Sequence, residues 1–333
     1  MKTAIVGATG IVGQEMLTVL DERNFPYGEI LAAGSGRSKG DELEVNGKKI
    51  EVQGVEEVLE QKPDLALFSA GKDVALEWAP EFAKNGTTVI DNSSAFRMEP
   101  EYKLIIPEIN GDILTGEEGI IANPNCSTIQ MLMAVYPLHQ KFQASRIVVS
   151  TYQAVSGSGK GAVDQLKDEL SGQPGKKAYP YQIANNCIPQ CGDFLFNRYT
   201  TEETKLIYET QKIIDRNLWV TATAVRIPVF RGHSEAINIT FKNEFDLLDV
   251  KNILKHTPGI MIYDNVEENL YPMPQSCQNK DEVYIGRLRR DFSHGKSLNM
   301  WVVSDNLRKG AATNAIQIAE HLLNKELLGK NPS

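Results

Sequence analysis

Apolar and polar positions change period along this chain. Short apolar runs at residues 3–6, 30–33, 65–69, 88–91 and 119–122 predict strands. Between the first two, Val12, Met16, Leu17 and Leu20 recur at helical spacing, and Val74, Leu76, Trp78 and Phe82 do so more loosely. Strands alternating with helices are the pattern of a parallel sheet with crossover helices, so this half predicts an α/β, Rossmann-type dinucleotide-binding domain. Past residue 126 the runs lengthen, at 146–154, 219–229, 236–241, 283–288 and 298–303, with fewer helical stretches between them. That texture predicts a second, α+β domain with a mixed sheet. Residues 171–180 are polar and hold Gly, Pro and Lys, which predicts a surface excursion. Near the end, Ile316, Ile318, Leu322 and Leu323 restore a helical period, so the tail is expected to pack back onto the first domain.

The length of 333 residues exceeds what a single core usually fills, which agrees with two domains. Net charge is −8, from 35 basic against 43 acidic residues, which offers no footprint for nucleic acid or an anionic membrane. Any anionic substrate must therefore meet a local basic site. The opening residues lack the apolar core of a signal peptide and no apolar run approaches a membrane span, so a cytoplasmic protein is expected. Four cysteines are too sparse for a disulfide framework. Cys187 and Cys191 have no second Cys or His pair beside them and read as ordinary thiols, so no metal is expected.

Two segments carry chemistry. Gly7, Thr9, Gly10, Ile11, Val12 and Gly13 belong to a GxxGxxG turn between the first strand and first helix, where backbone amides and the helix dipole can hold a diphosphate. After the second strand the chain offers Ser35, Arg37 and Ser38 where an NAD-selective fold usually has a carboxylate, which favours NADP(H) and its 2′-phosphate. Cys126 sits in NPNCSTIQ, at the start of a helix-like run, where the positive end of the dipole favours a thiolate. A lone cysteine is more often a packing residue, so the surrounding motif matters. Of five histidines, His139, His256 and His321 lie in charged helical contexts that read as surface, and His294 in a turn. His233 follows RIPVFRG, beside an arginine, and is the best candidate partner for the thiol.

At this point the chain resembles the aspartate-semialdehyde dehydrogenase family. The resemblance is carried by GATGIVG, NSSAFR, NPNCSTIQ, STYQAVSGSG, RIPVFRGHSE and WVVSDNLRKGAA, in order over nearly the whole chain. It implies NADPH-dependent reduction of aspartyl phosphate to aspartate semialdehyde with release of inorganic phosphate, and a homodimer. It also implies a dinucleotide domain at 1–122 plus 306–333 and a catalytic and dimerisation domain at 123–305. Cys126 would form the thioester, His233 would serve as acid/base, Gln153 would orient substrate or water, and Asn125 would help polarise the carbonyl. Arg226 would grip the α-carboxylate and Arg97 the phosphate. Glu202 would receive the substrate amine and Lys205 assist at the anionic group; without the family, that pair reads as a routine helical ion pair. Ser156, Gly157 and Asn306 would lie near the nicotinamide. The match is least clear over 171–198.

Three rival readings remain. Other Cys/His enzymes with a nucleotide domain, N-acetyl-glutamyl-phosphate reductase and glyceraldehyde-phosphate dehydrogenase, are not expected to carry these motifs together. A short-chain reductase would use Tyr-x-x-x-Lys, which Tyr208 to Lys212 formally fits within an acidic amphipathic stretch. A non-catalytic NADP-binding regulator would not need a cysteine at a helix start.

Overall fold

The computed structural model describes residues 1–45 and 47–328, which form two compact units, one of Met1–Pro124 with the segment from Ala311 and one of Asn125–Gly310. In the first, eight strands lie in the order Glu42–Val45, Lys48–Gly54, Glu29–Gly34, Lys2–Val6, Leu65–Phe68, Thr88–Asp91, Ile120–Ala122, Lys103–Leu104. All neighbours are parallel except the first pair, an antiparallel hairpin at the edge. Leu65–Phe68 and Thr88–Asp91 are buried at every position, because a parallel sheet covered on both faces needs continuous apolar runs. The edge hairpin escapes a reading based on apolar runs, since Glu42, Glu44, Lys48, Lys49 and Glu51 face water there. Charged residues on an edge strand also discourage pairing with other chains. The closing helix Thr313–Asn324 packs against the helix Ile11–Glu22, and Ala315, Ile316, Ile318 and Ala319 join the same core as Met16, Leu17 and Leu20.

The second unit is built on six strands in the order Trp219–Arg226, Ala144–Gln153, His233–Phe241, Ser297–Ser304, Val283–Arg290, Ile260–Ile262. Strand His233–Phe241 runs antiparallel to both neighbours, whereas Trp219–Arg226 and Ala144–Gln153 run parallel. Ile147, Val149, Thr151 and Gln153 alternate into the buried face, where the helix Cys126–Phe142 packs across the sheet. That helix buries a continuous stretch from Ser127 to Val135, so its first half is core, while Gln140 and Lys141 at its far end are exposed.

Strand directions have a chemical consequence. Two parallel strands end in Gln153 and Arg226, which face each other in register. The antiparallel strand beside them begins at the same sheet edge with His233, paired to Ser304 at the end of the next strand. Three residues far apart in sequence therefore emerge at one edge.

Candidate functional site

In the first unit, Gly7 has φ +92° and a Cβ there would lie 2.8 Å from the Ala70 amide nitrogen. At Gly13 a Cβ would collide with the Gly7 carbonyl oxygen and stand 2.8 Å from Ala8 Cα. Only glycine lets the turn close and the helix press onto it. Gly10 caps the helix Ile11–Glu22 without a side-chain hydrogen bond, so the first-turn amides of Ile11 and Val12 keep donors for an anion. Above the turn lies a cleft of 680 Å³ lined by Gly7, Thr9, Gly10, Ser35, Arg37 and Trp78 among others, within the size range of small-molecule sites. Lys39 and Glu57 also line it, joined by an ion pair of 2.6 Å, and Glu57 accepts the Gly54 N–H as well. Ser38 turns its hydroxyl to the Ser35 carbonyl at 3.2 Å. Nothing in local sequence marked Lys39 or Trp78 as cleft residues; their placement follows from how the loop and helix meet. The cradle fits a dinucleotide, since the glycines close the turn beneath the cleft and the helix start keeps donors for a diphosphate.

Arg97 belongs to the same unit. It follows the strand Thr88–Asp91, where Asp91 accepts the N–H and hydroxyl of Ser93 and folds the chain back on itself. Burial pushes the Asp91 carboxyl up, against the lowering effect of Ser93 and Arg97. Arg97 is buried and donates from Nη2 to the Asn92 carbonyl at 2.8 Å.

In the second unit, Cys126 opens the helix Cys126–Phe142 and is partly exposed, while its neighbours on both sides are locked. Asn125 is the N-cap: Oδ1 accepts from the amides of Ser127 and Thr128 at 3.0 and 3.4 Å. Its Nδ2 donates to Glu202 at 2.9 Å and its own backbone N–H to buried Glu209 at 2.7 Å. A cap of this kind stabilises a helix by about 1 kcal/mol; here it also fixes where the thiol stands. Gln153 donates from Nε2 to Ser127 Oγ at 3.0 Å and to Glu202 Oε1 at 3.3 Å. Buried Gly310 packs directly against the thiol residue: a Cβ added to it would fall 2.8 Å from Cys126 Cβ.

His233 is fully buried and takes the Ala154 N–H on Nδ1 at 3.0 Å. A backbone amide can only donate, so Nδ1 is the acceptor and the neutral ring carries its proton on Nε2. That Nε2 has no hydrogen-bond partner among the described residues. Burial and the nearby Arg226 charge bring His233 down to about 3, against the opposing pull of Glu202. Arg226 is buried, donates from Nη1 to the Ala154 carbonyl at 2.5 Å, and has an Nε without a partner among the described residues. Gly157 lies between the two: a Cβ there would be 3.1 Å from both Arg226 Nη1 and His233 Nε2.

Glu202 and Lys205 sit one turn apart on the helix Thr201–Ile213 and pair at 3.0 Å. Burial raises Glu202, but the Lys205 charge and hydrogen bond, the Asn125 hydrogen bond and the Arg226 charge outweigh it and hold the carboxyl at about 2. The pair is therefore no surface decoration, because Glu202 is only 9% exposed. Asn306 ties the site's rim together, accepting from the Gly232 N–H at 2.9 Å and donating to Ser156 Oγ at 3.0 Å.

Two histidines depart from expectation. His139 is half-buried with a pKa lowered by desolvation, and His321 packs its ring against Gly111. Helical periodicity placed them on a helix but not the neighbours that cover them. Tyr208 is half exposed, on a helix. Cys191 and Cys277 are buried, with thiols pushed by burial up to about 12 and about 11. Among the described residues no cluster of His, Cys, Asp or Glu suits a metal, and no helix is long and apolar enough to cross a membrane.

Comparison with known proteins agrees with this geometry. Residues 2–116 match the family model for a semialdehyde dehydrogenase NAD binding domain, and residues 135–309 that for a semialdehyde dehydrogenase dimerisation domain. The first unit is thus a nicotinamide-dinucleotide-binding domain. The aspartate-semialdehyde dehydrogenase of Aquifex aeolicus is 48% identical over 98% of this chain and 99% of its own. That of Bacillus subtilis is 44% identical over 97% of each. The crystal structure of aspartate semialdehyde dehydrogenase II from Vibrio cholerae, complexed with ASA, superposes with a TM-score of 0.92 at 45% identity, covering 97% of this chain and 98% of that one.

Proposed function

This chain belongs to the aspartate-semialdehyde dehydrogenase family, and from that premise we propose that it reversibly reduces L-aspartyl 4-phosphate to L-aspartate 4-semialdehyde with NADPH, through a thioester on Cys126. The observation that carries the reading is the knot around the thiol. Asn125 and Ser127, on either side of Cys126, are bound to Glu202 and Gln153, and Arg226 and His233 meet at Gly157.

Each end of the substrate finds its opposite. The α-carboxylate is assigned to Arg226, whose unpartnered Nε edge suits a fork-like pair. The α-ammonium is assigned to Glu202, a carboxylate ionised at any working pH. Lys205 assists at the anionic group, and Arg97 is assigned to the phosphate. The Cys126 thiolate attacks the acyl carbon and the C–O bond to phosphate breaks, leaving a thioester. Bound NADPH supplies the hydride that reduces the thioester carbonyl. The resulting oxyanion expels sulfur, which restores the Cys126 thiolate and frees the aldehyde. His233 enters as a neutral donor: its Nε2–H meets negative charge developing on substrate oxygen, while Nδ1 stays tied to Ala154. This narrows the acid/base role that the resemblance implies, because a ring with Nδ1 so engaged has no free lone pair for the thiol's proton. Gln153 orients the acyl group, and Asn125 acts chiefly by capping the helix.

NADP(H) rather than NAD(H) is supported by Arg37 in the cleft with Ser35, and Ser38 beside them. Ser156, Gly157 and Asn306 are assigned to the nicotinamide end. A cytoplasmic homodimer feeding lysine and diaminopimelate, threonine, methionine and isoleucine synthesis completes the reading, with no nucleic-acid or membrane partner. The test is phosphate-dependent NADP reduction with aspartate semialdehyde, run beside Cys126→Ala. Wild-type turnover abolished in the variant is expected. Turnover of N-acetylglutamate semialdehyde in its place would overturn the substrate assignment.

A further inference from the structure

Residues 171–180 form the exposed excursion that the sequence predicts, but from Ala178 to Ile188 the backbone is bound to the body of the second unit. Gln165, buried on the helix Lys160–Leu170, accepts the N–H groups of Ala178 and Tyr179 at 2.6 and 2.8 Å. Glu169, one turn on, accepts those of Ile183 and Ala184, each at 2.8 Å. Two acceptors thus hold four amides, and hydrogen bonds to a charged carboxylate are the stronger kind. Farther along, Ile188 exchanges two backbone hydrogen bonds with Arg226, at 2.9 and 2.8 Å. Ile183, Ala184 and Ile188 share a small core with Val155, Ala162 and Leu166. The segment is a strap, fastened at one end to a helix and at the other to the strand that carries Arg226.

Tyr179 lies at the first fastening, its N–H held by Gln165. Arg226 Cζ lies over the Tyr179 ring, 6.0 Å from the centroid, and the tyrosine hydroxyl donates to Ser158 Oγ at 3.0 Å. Arg226 thus has the Tyr179 ring beneath its Cζ and the Ala154 carbonyl at Nη1, with Nε left over among the described residues. A long arginine side chain has many rotamers, and a planar fork binds a carboxylate well only when its plane is set beforehand.

We propose that Tyr179 is a positioning residue of the substrate site: its ring sets the plane of the Arg226 guanidinium so that the Nε edge meets the substrate α-carboxylate. The strap is on this view part of the specificity apparatus, selecting substrates with a carboxylate at that distance from the reacting carbon. The inference rests on the assignment of Arg226 to the α-carboxylate.

The experiment measures kcat and KM for aspartate semialdehyde, phosphate and NADP in Tyr179→Phe and Tyr179→Leu, each made in the wild-type and Arg226→Lys backgrounds. Tyr179→Met, also without an aromatic face, serves if the leucine variant does not fold. Loss of the ring should raise KM for the semialdehyde by about tenfold, the size of a desolvated cation–π contact, and leave KM for NADP and phosphate within about twofold. Tyr179→Phe keeps the ring and should stay within about threefold of wild type. In Arg226→Lys, where no planar fork remains to be set, removing the ring should change KM by less than about twofold. An equal effect in both backgrounds, or parallel losses in every constant, would overturn the positioning role. Failure of the wild-type enzyme to use aspartate semialdehyde would instead overturn the functional assignment, so the two failures are distinguishable.

Discussion

Gly310→Ala offers a sharp test of how tightly the thiol is held. The added Cβ would stand 2.8 Å from Cys126 Cβ and 3.3 Å from Cys126 Cα. Carbon atoms in contact prefer roughly 3.5–4.0 Å, so about 1 Å of overlap must be relieved. Neither partner yields easily. Cys126 is pinned by the Asn125 cap and by Glu209. Gly310 lies in the turn Arg308–Ala312, where Arg308 pairs with Asp281 at 2.7 Å and the Gly310 N–H reaches the Asp305 carbonyl at 3.2 Å. Overpacking at such a site costs about 1–3 kcal/mol, and a displacement of about 1 Å at a reacting group costs on the order of 10²-fold in rate. The expected result is a kcat lowered about 10²-fold, with NADP binding within about twofold of wild type because the glycine turn at Gly7 is untouched. Initial rates of phosphate-dependent NADP reduction give kcat, and fluorescence titration gives cofactor affinity. A melting temperature that falls while kcat stays within about threefold would refute the reasoning, because Cys126 would have moved without consequence.

The remaining predictions concern charge and cofactor choice. His233 is depressed in the folded state to about 3 from 6.5, so the unfolded chain takes a proton first as pH falls. Its stabilising contribution is full above pH ~6.5 and is lost by ~1.4 kcal/mol per unit on acidification; denaturation curves at pH 7 and 5 should converge for wild type and His233→Gln, and a constant gap would contradict this. The same depression predicts that kcat shows no inflection near pH 6–7 that disappears in His233→Gln. Glu235 is fully buried beside His233, with neither carboxylate oxygen hydrogen-bonded among the described residues, and burial raises its pKa well above the usual range. The folded state keeps a proton that the unfolded chain releases above about 4.5, so stability falls as pH rises past that value. Glu235→Gln should therefore gain on wild type in denaturation midpoint between pH 5 and 8, and a gap independent of pH counts against a neutral carboxyl. Arg37→Ala should raise KM for NADP about tenfold and hardly alter that for NAD; equal effects on both would remove Arg37 from the 2′-phosphate.

Much of the fold was open to reading because its causes are local. Short continuous apolar runs alternating with helical periods fit strands covered on both faces, and Gly7 and Gly13 could tolerate no Cβ, as the 2.8 Å approaches at both bear witness. The charged edge hairpin Glu42–Val45 and Lys48–Gly54 was not legible, because an edge strand facing water has no apolar period to display. The excursion at 171–180 is exposed, as its polar composition predicts, but its fastening from Ala178 onward was not legible: those amides are held by Gln165 and Glu169, and side-chain acceptors from another element leave no periodic trace.

By itself the amino-acid sequence determined where a strand meets a helix through glycines, that a cysteine opens a helix, and which family's motifs occur in order. Those are properties of neighbours along the chain, governed by backbone sterics and capping. Only the tertiary structure decided that Gln153, Arg226 and His233 share one sheet edge, which tautomer His233 adopts, and that Tyr179 faces Arg226. These depend on strand direction and on packing between distant segments, and no spacing along a chain encodes which way two strands run.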